Sequence, residues 1–217
     1  MNVEQARFNM IEQQIRPWEV LDDSVLQLLA VVKREDFVPT AYKALAFVDT
    51  EVPLPEGECM LAPKVEARML QELKVARHEK VLEVGAGSGF MAALLAHKAQ
   101  QVHTMEIKPA LAQLALQNLK RAAVFNVRVH EADGSRGLPS EAPFDAICLS
   151  GSVAEVPAAL LQQLKIGGRL IAIVGQEPVM RCVLVTRTGE AAFLRVELFD
   201  TVAARLHGFE EPSRFKF

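Results

Sequence analysis

The sequence predicts an α/β fold: a doubly wound, mostly parallel sheet with an N-terminal helical cap and a C-terminal antiparallel hairpin. Three observations predict it. From Lys80 to Val174, short apolar stretches alternate with amphipathic helical ones, the pattern of right-handed strand–helix–strand crossovers. A glycine-rich turn, Gly85-Ala86-Gly87-Ser88-Gly89, follows the first of these stretches. Of 217 residues 50% are hydrophobic but only 6% aromatic, so the apolar mass is mainly Ala, Leu and Val, which suits strands buried under helices.

The cap comes first. Val3 to about Ile15 carries Phe8, Ile11 and Ile15 at helical spacing and ends before Arg16-Pro17-Trp18. Asp22 or Asp23 caps a second helix that turns Val25, Leu26, Leu28, Leu29 and Val32 inward. Phe37 to Ala62 holds Pro39, Pro53, Pro55 and Gly57 and reads as loop. Pro63 suits the first turn of a helix running through Arg68 and Leu73. Arg68 is expected to serve as a structural ion-pair former rather than a substrate clamp.

The core follows. Lys80–Val84 is the first strand, and Met91 to about His97 its helix. Gln101–Glu106 is the second strand, followed by a helix over Pro109–Arg121. Val127–Val129 and Phe144–Leu149 are the third and fourth strands. A helix over Val156–Leu164, the turn Gly167-Gly168 and a fifth strand Arg169–Val174 complete it. Val179–Thr186 and Ala192–Phe199, joined around Thr188-Gly189-Glu190, read as the hairpin. The expected organisation is a cap and loop over 1–62, a core over 63–175 and a hairpin with tail over 176–217, all one folded unit.

Composition narrows the functional classes. A net charge of −3 argues against a nucleic-acid or anionic-membrane surface as the main partner, since both require a basic face. No stretch reaches the roughly eighteen apolar residues of a membrane span. Cys59, Cys148 and Cys182 form neither a CxxC site nor a disulfide framework, and the five histidines show no HExxH spacing. A cytoplasmic, metal-free protein with free thiols is the expectation; oligomeric state is not legible.

The glycine turn carries the chemistry. Glycine lets the backbone turn tightly and approach a bound molecule where a Cβ would intrude. In an open α/β sheet this turn lies at the carboxyl ends of the strands, where ligands bind. Glu106 ends the second strand, 21 residues beyond Gly85, where an acid accepts hydrogen bonds from ribose hydroxyls. The glycines run G-x-G-x-G rather than the dinucleotide pattern G-x-G-x-x-G, and Glu83 precedes them. A carboxylate there suits a cationic ligand and not a pyrophosphate. Asp133, just after the third strand, is placed to reach an adenine amino group, so three carboxylates are expected to rim one crevice. The sequence thus favours S-adenosyl-L-methionine over a nicotinamide in a Rossmann-like sheet. The expected cofactor contacts are Glu83, Gly85, Ala86, Gly87, Ser88, Gly89, Glu106, Ile107, Asp133 and Gly134.

With their flanks, these residues resemble the protein-L-isoaspartate O-methyltransferase family from about Ala6 to Gly175. Lys33-Arg34-Glu35-Asp36-Phe37-Val38-Pro39 is similar to its PRExFVP segment, and Leu54-Pro55-Glu56-Gly57 to its LPIG. Ala62-Pro63 through Ala67-Arg68-Met69 resembles the segment ending in VARM. Val81-Leu82-Glu83-Val84-Gly85-Ala86-Gly87-Ser88-Gly89-Phe90 resembles VLEIGTGSGY. Ala142-Pro143-Phe144-Asp145 and Gln163-Leu164-Lys165-Ile166-Gly167-Gly168-Arg169-Leu170 resemble APFD and QLKPGGRL. The resemblance implies a Rossmann-like methyltransferase that uses S-adenosyl-L-methionine, releases S-adenosyl-L-homocysteine, and methylates isoaspartyl carboxylates in damaged proteins.

One departure stands out. Where the family loop reads G-Q-T-I-S-x-P, this chain has Gly57-Glu58-Cys59-Met60-Leu61-Ala62-Pro63, so Leu61 replaces the serine beside the methyl donor. Glu58, Cys59, Met60 and Ala62 are the other expected acceptor-side residues. Leu61 cannot hydrogen-bond a carboxylate, and Glu58 repels an acidic substrate if it faces the site. A lost hydrogen bond to a charged group is worth about 1.5–3 kcal/mol. A weak isoaspartyl enzyme, a methyltransferase retuned to another acceptor and a non-enzymatic S-adenosylmethionine-binding protein all stay open. The tail from Leu206-His207-Gly208-Phe209 to Phe215-Lys216-Phe217 is unlike the family ending; its phenylalanines either pack or reshape the acceptor site.

Overall fold

A computed structural model of the chain describes residues 2–211. A seven-stranded sheet is its centre, with the order β5-β4-β3-β6-β7-β8-β9. These strands are β3 (Lys80–Val84), β4 (Gln101–Glu106), β5 (Val127–Glu131), β6 (Phe144–Val153), β7 (Leu164–Gln176), β8 (Val179–Arg187) and β9 (Phe193–Thr201). Pairings from β5 through β7 are parallel; β7, β8 and β9 pair antiparallel. The predicted doubly wound sheet with a terminal hairpin is therefore present. Strand order reverses at β3, between β4 and β6, so a crevice opens beyond the carboxyl end of β3.

The cap holds α1 (Val3–Met10), a π turn over Ile11–Ile15, and α2 (Asp23–Val31). Asp22 caps α2 by accepting from the Ser24 backbone N–H at 2.8 Å. Phe8, expected inward, lies on the exposed side of α1, and Arg7 is buried in its stead, paired with Glu4 and Glu35. An arginine buries its stem readily when its guanidinium finds carboxylates. The loop after α2 forms the short antiparallel pair β1 (Val52–Pro53) and β2 (Cys59–Met60), and Pro63 opens α3 (Pro63–Leu73) as predicted. Arg68 on α3 bonds Glu19 and Glu72 and donates to the Trp18 carbonyl, tying the cap to the core in the expected structural role.

Two core boundaries differ from the sequence reading. The helix expected over Val156–Leu164 is reduced to α6 (Ala158–Leu161), because Pro157 fixes its start and the chain is drawn into β7 by pairing of Phe144 with Leu164. β7 thus begins before the Gly167-Gly168 pair, which becomes a bulge; a Cβ on Gly168 would lie 2.9 Å from the Lys165 carbonyl oxygen. β6 runs past Leu149 to Val153, since Ser152 pairs with the segment after β9, its N–H donating to Ala204 O at 2.8 Å. None of this is periodic, and each contact comes from residues remote in sequence.

Helices α4 (Phe90–Lys98) and α5 (Pro109–Arg121) cover the sheet. α4 is apolar on every side and buried almost throughout, lying between the sheet, the cap and α5. Gly89 precedes it at φ +82°, and a Cβ there would sit 3.2 Å from the backbone of Ala115 on α5. Gly89→Ala is expected to cost about 1–3 kcal/mol, because it adds left-handed strain to a helix–helix contact; a chemical-denaturation midpoint equal to wild type would contradict that. Among the described residues no helix is long and apolar enough to cross a membrane, and no group of three or more His, Cys, Asp or Glu side chains is placed to hold a metal ion.

Candidate active site

Parallel register brings the ends of three strands level: Val84 pairs with both Met105 and Leu149. The turn after β3 is pinned to β4, with Gly85 N–H donating to Met105 O at 2.9 Å and Ala86 N–H to the same oxygen at 3.2 Å. Glu106 then holds the turn from the next strand. Its Oε2 accepts from Gly87 N–H at 2.9 Å and its Oε1 from Lys108 N–H at 3.0 Å. Each carboxylate oxygen keeps lone-pair capacity beyond these bonds. Ser88 accepts from Phe90 N–H at 3.3 Å, so its hydroxyl occupies the helix start where a phosphate would otherwise be received.

The crevice, with the solvent-open space at its mouth, holds about 490 Å³ free of atoms. Its floor is apolar, from Val84, Met105, Ile107 and Leu111; Gly85, Gly87, Glu106 and Ser150 supply backbone and polar groups; Glu58, Cys59, Leu206 and His207 bound the mouth. A flat base suits such a floor, and Glu106 offers acceptors for ribose hydroxyls. Among the described residues no lysine or arginine lines its interior, and Lys108 at the mouth is already paired with Glu58, so a pyrophosphate finds no free counter-charge inside. Gly134 also lines it; a Cβ at that position would fall 2.5 Å from the Val84 side chain, which only glycine avoids.

The expected three-carboxylate rim is not formed. Of the three, Glu106 alone lines the crevice. Glu83 is fully buried beneath the turn, accepting from Thr104 Oγ1 at 2.6 Å and Ser150 Oγ at 2.7 Å. Burial pushes its carboxyl up to about 8, with Glu66 and Glu106 adding to the rise, so it is largely protonated at neutral pH. Asp133 turns away, accepting from Ser135 N–H at 2.8 Å and lying against Gly208 in a neighbouring groove with Arg136, Glu155 and Phe209. Gly208 and Phe209 share that groove with it while Leu206 and His207 line the crevice, a placement no strand-end argument anticipates.

On the acceptor side, Glu58 and Cys59 reach the crevice, while Cys59, Met60 and Leu61 line a smaller cavity with Glu66, Glu83 and Phe90. Ala62 caps α3 and packs on the core. Leu61 is held by its backbone: its carbonyl accepts from Arg34 Nη2 at 2.7 Å, and Arg34 is ion-paired to buried Glu66 while its guanidinium lies 5.1 Å over the Phe90 ring. Burial raises the Cys59 thiol to about 12, aided by Glu51, so it is no nucleophile at neutral pH. Because Leu61 is only 5% exposed, Leu61→Ser is expected to lower stability by about 2–5 kcal/mol. An unchanged melting temperature would refute its role as a packed side chain.

Sequence reasoning missed Ser150, Lys108, Leu206 and His207. Ser150 follows directly on a predicted strand, a position that marks crevice residues in α/β sheets. Leu206 and His207 carry no such signal. Leu206 sits on the glycine turn, its Cδ2 2.7 Å from where a Gly85 Cβ would be. Phe209 packs on the sheet's second apolar cluster, and Phe215 and Phe217 lie outside the described residues.

Comparison with known proteins bears on this arrangement. The profile of the protein-L-isoaspartate (D-aspartate) O-methyltransferase family matches residues 5–202. A protein-L-isoaspartate O-methyltransferase of Koribacter versatilis is 39% identical over 194 residues, 89% of this chain and 87% of the relative. One from Rhodopseudomonas palustris is 40% identical over 202 residues, 93% of each. In structure, a Plasmodium falciparum chain described as a putative member, in complex with S-adenosyl-L-homocysteine, superposes with a TM-score of 0.81 at 22% identity, over 95% of this chain and 98% of that one. A protein-L-isoaspartate O-methyltransferase structure gives 0.77 at 22% identity, covering 92% of this chain and 66% of that one. On the match over residues 5–202 and relatives at about 40% identity over most of both chains, this chain belongs to the protein-L-isoaspartate (D-aspartate) O-methyltransferase family.

Proposed function

We propose that this protein transfers a methyl group from S-adenosyl-L-methionine to the side-chain carboxylate of isoaspartyl residues in damaged proteins. The observation that carries the reading is the family match over 5–202, which includes the turn Gly85–Gly89 and Glu106 at the crevice. Glu106 would hold the ribose hydroxyls, Gly85, Gly87 and Gly134 would allow close backbone approach, and Ile107 would lie beside the base. Ala86, Ser88 and Gly89 shape the turn without offering side chains to the ligand. Glu83 acts from below, through Ser150. Asp133 takes part only if the segment Ala203–Phe209 shifts. When bound, S-adenosylmethionine supplies a methyl group on a sulfonium, open to in-line attack by an oxygen.

The chain's own residues have a limited task. An acceptor carboxylate is already ionised at neutral pH, so no general base is needed. What remains is alignment of the acceptor oxygen and exclusion of water, which Cys59, Leu206 and the Leu61 loop provide. The free thiols Cys59, Cys148 and Cys182 fit a reducing compartment such as the cytoplasm.

A labelled-methyl assay on an isoaspartyl peptide beside its aspartyl twin tests the reading. Base-labile label on the isoaspartyl peptide alone is the expected result. The apolar side chain of Leu61 favours a second reading, a retuned acceptor; label absent from both peptides but present on another carboxylate or hydroxyl compound would establish that instead.

A further inference from the structure

At the mouth of the crevice three remote segments converge on one oxygen. Glu58 Oε1, just before β2, pairs with His207 Nε2 at 2.8 Å and with the Lys108 ammonium at the start of α5. Lys108 Nζ also donates to the Glu56 carbonyl at 2.9 Å. The cluster is solvent-facing: the His207 side chain is 56% exposed and that of Glu58 22%. Burial pulls the Glu58 carboxyl upward, but Lys108 and His207 outweigh it and hold the group below its ordinary value. His207 lies beyond residue 202, where the match to the family pattern ends, so that pattern does not account for it. Leu61, in turn, lacks the hydroxyl that would meet an acceptor carboxylate.

We propose that Lys108 and His207 form the subsite for the acceptor carboxylate, and that Glu58 fills it as an internal carboxylate until an acidic acceptor displaces it. The inference rests on the methyl-transfer reading above. Glu58 presents the same functional group as an isoaspartyl side chain, in charge-assisted contact with both partners. The incoming carboxylate takes over as counter-charge to Lys108, while the displaced Glu58 carboxylate turns to solvent. The bond from Lys108 to Glu56 O keeps the ammonium in place when Glu58 leaves. Gly57, at φ +78°, has nothing within 4 Å of where its Cβ would lie, so the backbone just before Glu58 is not packed against a neighbour on that side. In this arrangement Glu58 does not simply repel acidic substrates: it sets a threshold that a carboxylate passes and a neutral acceptor does not.

The test is calorimetric binding of an isoaspartyl peptide to the full chain saturated with S-adenosyl-L-homocysteine, alongside the labelled-methyl assay. Lys108→Met and His207→Ala should each weaken peptide binding about ten- to a hundredfold, the size of a lost hydrogen bond to a charged group. Glu58→Gln should tighten it several-fold, a gain that misfolding cannot mimic. Affinity for S-adenosyl-L-homocysteine should stay within about twofold in all three. Peptide affinities unchanged by Lys108→Met and His207→Ala, or no peptide binding by wild type and Glu58→Gln alike, would overturn the subsite. Binding shifts as stated with no methyl transfer would uphold it and sink the methyl-transfer reading. Transfer with an unaltered KM in the Lys108 and His207 variants would do the reverse.

Discussion

Replacing Glu106 with alanine is expected to weaken S-adenosyl-L-homocysteine binding by about ten- to a hundredfold, measured by calorimetry on the full chain. Glu106 is the one expected cofactor carboxylate that faces the crevice, and it is 6% exposed. On the proposed reading, removing it would delete charge-assisted bonds to ribose hydroxyls, worth about 1.5–3 kcal/mol. It also frees the N–H groups of Gly87 and Lys108, which Glu106 now orders. Glu106→Gln should fall between, since an amide oxygen accepts but carries no charge. Affinities within twofold of wild type for both variants would show that the adenosine does not lie on Glu106.

The second large effect is structural. Arg34→Ala is expected to destabilise the fold by about 3–5 kcal/mol, because it leaves Glu66 buried without its partner. For a chain this size that lowers the melting temperature by about 6–20 °C. The loss should depend on pH, with a sign fixed by linkage. Even beside Arg34, burial raises the Glu66 carboxyl from 4.5 to about 7, and Glu83 lies at about 8. Both folded values exceed the unfolded ones, so the stability these groups contribute is present below pH 4.5 and is lost as pH rises towards 7 and 8. Without Arg34 the penalty of ionising Glu66 grows, and the variant should lose more relative to wild type at pH 8 than at pH 5. Denaturant unfolding at the two pH values decides it. A loss under about 1 kcal/mol, or one equal at both pH values, would mean that Arg34–Glu66 does not hold the loop at Leu61.

Much of this was legible in the sequence because it rests on local periodicity. The strand–helix alternation from Lys80 onward, the helix start at Pro63 and the hairpin around Gly189 each follow from spacing and turn chemistry within a few residues. The glycine turn and Glu106 were legible too, because parallel strands force their carboxyl ends to one edge, and position along a strand then stands in for position in space. Phe8 misled, since helical spacing does not say which of two faces meets the core when a buried arginine finds two carboxylates. The helix around Ala158 was overread for a related reason: strand pairing at Leu164 took residues that local pattern assigned to the helix.

The sequence by itself determined the class of sheet, the place of the crevice at the glycine turn, the family, and the departure at Leu61, all of which depend on short-range order or on motif. Only the tertiary structure decided how the crevice is closed. It buries Glu83 under the turn, turns Asp133 aside, seats Leu206 on Gly85, and brings Glu58, Lys108 and His207 together across separations of 50 and 149 residues. Contacts of that range leave no periodic trace in the chain, because they are set by which surfaces remain to be covered once the sheet and its helices have packed.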